Sequence, residues 1–223
     1  MTAQKNKGKK IRCLKCRTSY YDLGKRSAEC PKCRENALIP VGTIAKVRLS
    51  IKRGGYNDPS QGWTEGYATK SASGAIYLNC TFEVTKGPKS GKKFSTLIGL
   101  WTSKSAWWGN EGRRTLRNIL NSAYGISDTD YSVGARELRD VNSFGAFEGI
   151  EFTGEIDRRK GPDGILRNEL KAALTPDDPQ YEQVAIPHPK NVRSQVNAGR
   201  ADGKIIQCPL DDPNYTPLWL RKI

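Results

Sequence analysis

From Ala45 onward, apolar and polar side chains fall into a short series of regular patterns. Ala45, Val47, Leu49 and Ile51 alternate with Lys46, Arg48, Ser50 and Lys52. That period of two predicts a strand with one apolar and one basic face. Ile76, Leu78, Cys80, Phe82 and Val84 alternate in the same way with Tyr77, Asn79, Thr81, Glu83 and Thr85. This second strand makes Cys80 a small core residue and not a metal ligand. A third strand is expected from about Phe94 to Trp101. Leu116, Ile119, Leu120 and Ala123 then recur at helical spacing, predicting a helix from about Asn110 to Tyr124, stopped by Gly125. A shorter helix is expected near Ala135 to Arg139. Ile150, Phe152, Gly154 and Ile156 mark a fourth strand, and Ile165 to Leu174 a fifth.

Three strands, a helix and a two-stranded return predict a mainly β domain over residues 44–178. The order is that of a five-stranded barrel of the oligonucleotide-binding (OB) type, with its helix between strands three and four. Another small β-sandwich is the alternative. Two connections stand out. Gly54 to Gly74 is long and rich in glycine and aromatic residues, and Lys86 to Lys93 carries four lysines. Trp101 to Arg117 holds three of the five tryptophans beside basic side chains. Flat rings beside cations are what unpaired bases and phosphates require. The expected nucleic-acid contacts are Arg48, Lys52, Arg53, Trp63, Tyr67, Lys89, Lys92, Lys93, Lys104, Trp107, Trp108, Arg113 and Arg114. Trp101, ending an apolar strand, is assigned to the core.

Charge sharpens this picture. The chain carries a formal +14, and residues 1–54 hold fifteen Lys or Arg against Asp22, Glu29 and Glu35, so nearly all of the excess is N-terminal. Residues 1–10 read as a basic flexible arm. Cys13-x-x-Cys16 and Cys30-x-x-Cys33 follow, thirteen residues apart, in a chain without a signal peptide or a membrane-length apolar run. In the reducing cytoplasm expected for such a chain, two such pairs favour one structural Zn2+ held by four thiolates over disulfides. With Tyr20-Tyr21-Asp22-Leu23-Gly24-Lys25 between the pairs, residues 11–40 resemble a bacterial zinc ribbon that carries an aromatic-aromatic-Asp-Leu sequence. Arg17 and Arg34 stand where that ribbon usually has glycine. Residues 179–223 read as a proline-rich tail containing Cys208. Its terminal cluster, Leu218, Trp219 and Leu220, either docks a replication or recombination protein or folds back onto the body.

Gly55-Tyr56-Asn57-Asp58, Gly66-Tyr67-Ala68-Thr69, Tyr77-Leu78-Asn79-Cys80-Thr81-Phe82, Leu97-Ile98-Gly99-Leu100, the helix Arg114–Gly125 and Asn168-Glu169-Leu170-Lys171-Ala172 carry a second resemblance. They are similar to a family of uncharacterised phage-encoded domains found among recombination and replication genes. The resemblance implies a single-stranded DNA-binding protein. The competing reading is an adaptor that recruits a partner through its ribbon and C-terminal peptide. An enzyme is not expected: the only histidine, His188, lies between two prolines, and no phosphate-cradling loop occurs. Glu151, Glu155 and Asp157 fall on a strand exterior, where solvated carboxylates are the rule. No membrane partner is expected, and an oligomer is left open.

Overall fold

The computed structural model describes residues 9–13, 15–22, 30–33, 38–141 and 143–183. Burial alternates along the strands as the sequence pattern requires. In β3 (Thr43–Lys52) Val47, Leu49 and Ile51 face inward, and in β6 (Ile76–Val84) every second residue is buried. β7 (Lys93–Trp101) follows β6 through the lysine-rich turn, and β8 (Glu151–Lys160) and β9 (Leu166–Ala173) form the return hairpin.

Hydrogen-bonded neighbours run β7–β6–β3–β8–β9, antiparallel at every step. The sheet curls until β9 comes against β7, where the Leu170 amide donates to Thr96 Oγ1 at 2.9 Å. The result is a half-barrel. Val47, Leu49, Leu78, Phe82, Phe152 and Ile156 fill its concave side. Phe82 lies parallel to Phe94 at 5.4 Å and edge-on to Phe152 at 6.0 Å, both favourable ring geometries. Cys80 is fully buried among them, as its place in the alternation predicted.

The segment expected to be a plain connection between strands one and two is instead a hairpin. β4 (Tyr56–Asp58) pairs with β5 (Trp63–Lys70), which pairs in turn with the first residues of β6. The sheet therefore has seven strands and not five. Gly55 and Gly66 adopt positive φ, and the amides of Gly54 and Gly55 both donate to Gly66 O. That irregular pairing, with the register shift between Tyr56 and Asp58, breaks the period-two pattern, which is why periodicity does not reveal these strands.

Helix α1 (Ala106–Tyr124) closes one end of the half-barrel with Leu116, Ile119, Leu120 and Ala123, and Gly125 ends it in the left-handed region (φ +68). It begins a turn earlier than expected, so Trp107 and Trp108 lie in its first turn and not in a loop. α1 approaches β7 closely: a Cβ on Gly112 would fall 1.6 Å from Gly99 O, and one on Gly109 2.6 Å from Leu100 O. At its far end the Ser122 hydroxyl donates to Thr153 O of β8 and accepts from the Thr153 amide. Asn121, which is not part of the Leu116–Ala123 apolar stripe, is nevertheless fully buried, donating to Asp128 and accepting from Arg139 at 2.7 Å. Arg139 ends α2 (Val133–Arg139) and so ties the two helices together.

Beyond the last strand, the chain stays on the body as far as Gln183. Tyr181 donates to Ser122 O at 2.9 Å, Asp177 accepts from Ser127 and the Asp128 amide, and Lys46 donates to Gln183 O. The tail expected from residue 179 thus begins with an anchored stretch. His188, Cys208 and the candidate docking residues Leu218, Trp219 and Leu220 lie outside the described residues.

Candidate functional site

The N-terminal cysteines converge. β1 (Lys9–Arg12) and β2 (Ser19–Asp22) pair as a small antiparallel hairpin, and the first knuckle lies between them. There the Cys13 amide donates to Thr18 O, the Arg17 amide to Cys13 O, and the Cys16 amide approaches Cys13 Sγ at 3.5 Å. Arg17 has φ +59, so the knuckle keeps the left-handed turn that glycine usually supplies. An L-residue there costs on the order of 1–2 kcal/mol.

The Sγ atoms of Cys13, Cys16, Cys30 and Cys33 all lie within 4.8 Å of one another. Cys13 and Cys33 are 3.5 Å apart, as are Cys16 and Cys30. Tetrahedral thiolate bonds of about 2.3 Å place sulfurs about 3.8 Å apart, so four donors at these separations can hold one metal ion. Their titration reflects the same crowding. Thr18, through its hydroxyl and then its amide, lowers the Cys16 thiol to about 6, and the Cys16 amide lowers Cys13. Cys33, hydrogen-bonded to Cys16 and then Cys13, is pushed up to about 12. Negative charge thus develops readily on one side of the cluster and is resisted on the other, until a cation relieves it.

A second feature is the convex face of β3, β6 and β7. Antiparallel register puts Lys52 opposite Asn79 and Asn79 opposite Leu97, and in the next row Ser50, Thr81 and Ser95. Farther along β6, Tyr77 lies opposite both Gly99 of β7 and Thr69 of β5. Leu97 is 52% exposed, a large apolar side chain in the middle of a polar sheet face. The Trp108 indole covers Gly99, since a Cβ there would lie 2.5 Å from its Cδ2 and 2.6 Å from its Cε2. Trp107 beside it is 67% exposed. On the β5 side, Arg53 stacks over the Tyr67 ring at 4.6 Å. Trp108 over Gly99, Tyr77 opposite Gly99, and Leu97 therefore put aromatic and apolar groups on one face of β6 and β7.

The residues expected from the sequence to form such a face divide. Lys52, Arg53, Lys92, Lys104 and Trp107 are exposed, and Tyr67 and Lys89 are half-buried. Trp63 is corrected: at 4% exposure, with the Phe144 ring 6.0 Å away, it is a core residue with no face for a base. Trp108 is half-buried against β7, so its packing role comes first. Arg48 pairs with Glu151, Lys93 with Glu83 at 3.2 Å and Arg114 with Glu111 at 3.0 Å. Arg113 turns back to Leu100 O and Asn110, and burial lowers its pKa. Glu155 pairs with Lys171 at 2.9 Å. Tyr77 and Leu97 were not among the expected contacts, although strand alternation already placed Tyr77 outward.

Residues 2–55 match the model of a family described as a protein of unknown function (FYDLN_acid), a match that contains the four cysteines and the Tyr20-Tyr21-Asp22-Leu23 sequence. No curated protein matches the chain. In architecture it is a mainly β protein with few helices, and among the described residues no helix is long and apolar enough to cross a membrane. Over its first quarter the chain is similar to that uncharacterised family and carries a four-cysteine cluster compatible with a zinc ribbon.

Proposed function

We propose that this protein binds single-stranded DNA, with little sequence preference, across the convex face of β3, β6 and β7. The observation that carries the reading is Trp107, 67% exposed at the head of α1, next in sequence to the Trp108 ring that covers Gly99 opposite Tyr77, on a face that also exposes Leu97 and Lys52. An exposed ring offers a stacking surface to an unpaired base, and nearby cations follow the phosphates. Duplex DNA keeps its bases paired and offers none of its ring faces to such a surface. The strand order β7–β6–β3–β8–β9, with α1 before β8, supports an OB-type barrel elaborated by the β4–β5 hairpin. The four thiols are read as a structural zinc site, because sulfur-only tetrahedral sets suit Zn2+ and leave no open position for catalysis. A setting in phage-type DNA replication or recombination is supported by the sequence resemblance alone.

The test is a titration of single-stranded and duplex oligonucleotides followed by tryptophan fluorescence at several salt concentrations. Quenching by single strands, weakening as salt rises, is expected; equal affinity for duplex of the same length sinks the reading. Trp107→Ala should weaken single-strand binding roughly 10-fold, within the range of one lost stacking contact, and leave the thermal midpoint unchanged. Trp108→Ala should do the reverse first, lowering stability by about 2–3 kcal/mol, because it uncovers Gly99 and unseats the start of α1. Binding unchanged in Trp107→Ala would remove this face from the interface.

A further inference from the structure

The small N-terminal hairpin has a face that the metal site does not use. Directly paired residues on antiparallel strands share a side, so Lys10 and Tyr21 project together, as do Arg12 and Ser19 on that same face. All four are exposed, and Tyr21 is 63% exposed. Ile11 and Tyr20, on the opposite side, are half-buried. The module has thus covered one aromatic ring and left its neighbour in water between two cations. Lys15, Arg17 and Lys32 are exposed at the two knuckles. From residue 9 to residue 34 the sequence has nine Lys or Arg against two acidic residues. Even with the net charge of −2 that a divalent ion in four thiolates contributes, this small module stays strongly cationic.

We propose that this face, together with the exposed knuckles next to it, is a second nucleic-acid-binding surface, taking the phosphates of a single strand on Lys10 and Arg12 of the face and Lys15, Arg17 and Lys32 of the knuckles, and one base on Tyr21. A tyrosine beside a lysine and an arginine offers both things an unpaired nucleotide needs, a flat face and a counter-charge. The proposal shares with the functional reading only the identity of the ligand. Its surface is separate from the β3–β6–β7 face and carries its own test.

The experiment uses the full chain and a fluorescein-labelled oligo-dT, with binding followed by anisotropy across a salt series and bound metal quantified in every variant. Each phosphate contact on a single strand contributes about 0.7 to the slope of log affinity against log salt, so Lys10→Gln/Lys15→Gln/Lys32→Gln should flatten that slope by about 2. Tyr21→Ala should weaken binding several-fold at unchanged slope, since stacking releases no counterion. Photocrosslinking to a bromouracil-substituted strand should mark the peptide containing Tyr21, and this decides the matter if the triple variant loses metal. Affinity and slope unchanged in both variants, with crosslinks confined to the body, overturn the proposal and leave the face to an acidic protein partner. If ribbon variants weaken binding while Trp107→Ala does not, the body reading fails and this one stands. No binding of any oligonucleotide overturns both.

Discussion

Replacing Gly112 by Ala is expected to destabilise the body by more than about 3 kcal/mol. The added carbon would sit 1.6 Å from Gly99 O, 2.7 Å from Gly99 C and 3.0 Å from Gly99 N. All three are backbone atoms of β7, paired into the ladder with β6, so they cannot rotate away as a side chain would. The helix must lift off the strand by more than an ångström. Leu116, Ile119 and Leu120 lie one and two turns further along the same helix, each no more than 1% exposed, and would lose their packing together. Overpacking usually costs about 1–3 kcal/mol, and a rigid backbone contact belongs above that range. Gly134→Ala is the internal control. Gly134 lies in α2 with nothing within 4 Å of its missing Cβ, so alanine there should stabilise by about 0.5–1 kcal/mol through helix propensity. Urea unfolding of both variants measures the contrast. A Gly112→Ala protein within 1 kcal/mol of the parent would mean that α1 is not seated on β7 in this way.

The same contact explains what the sequence conceals. Alternation along β3, β6 and β8, and the Leu116–Ala123 stripe of α1, are local signals of burial, and they place the core correctly. The first turn of α1 carries no such signal, because it is held by Trp108 lying on Gly99, a partner nine residues back and on another element. Trp63 shows the opposite error. Its glycine-rich surroundings suggest a surface loop, yet the β4–β5 hairpin folds it inward beside Phe144, eighty-one residues later in the chain. Tyr77 was legible as outward-facing, but its pairing with Gly99 and Thr69, which sets it opposite the glycine that Trp108 covers, is a matter of register between strands. The cysteine pairs were legible because their spacing is itself the geometry of two knuckles.

Metal removal is the prediction with the largest consequence for the N-terminal module. β1 and β2 are four residues each, and of the described residues before Ile39 only Cys30 is buried. Such a module cannot offset its chain entropy by apolar burial, so the free energy of metal binding is its folding free energy. In zinc-finger peptides that amounts to about 10–16 kcal/mol at neutral pH. A strong chelator should therefore abolish the hairpin's amide dispersion in a heteronuclear NMR spectrum, while resonances of β3 to β9 stay in place. Protons compete for the same sulfurs. Cys16, lowered to about 6, favours the folded metal-free knuckle above the ordinary thiol range, and that contribution disappears as pH falls through 6. Cys33, raised to about 12, works in the other direction: it holds its proton at neutral pH and favours the fold until pH climbs toward 12. The metal must displace the Cys33 proton, so apparent affinity should rise with pH between 6 and 9 and the metal should be released in acid. Mass spectrometry under non-denaturing conditions across that pH range counts the bound ion directly. Protein purified under reducing conditions that carries no metal, or a hairpin spectrum indifferent to chelator, would show that the four thiols hold the module together by some other means.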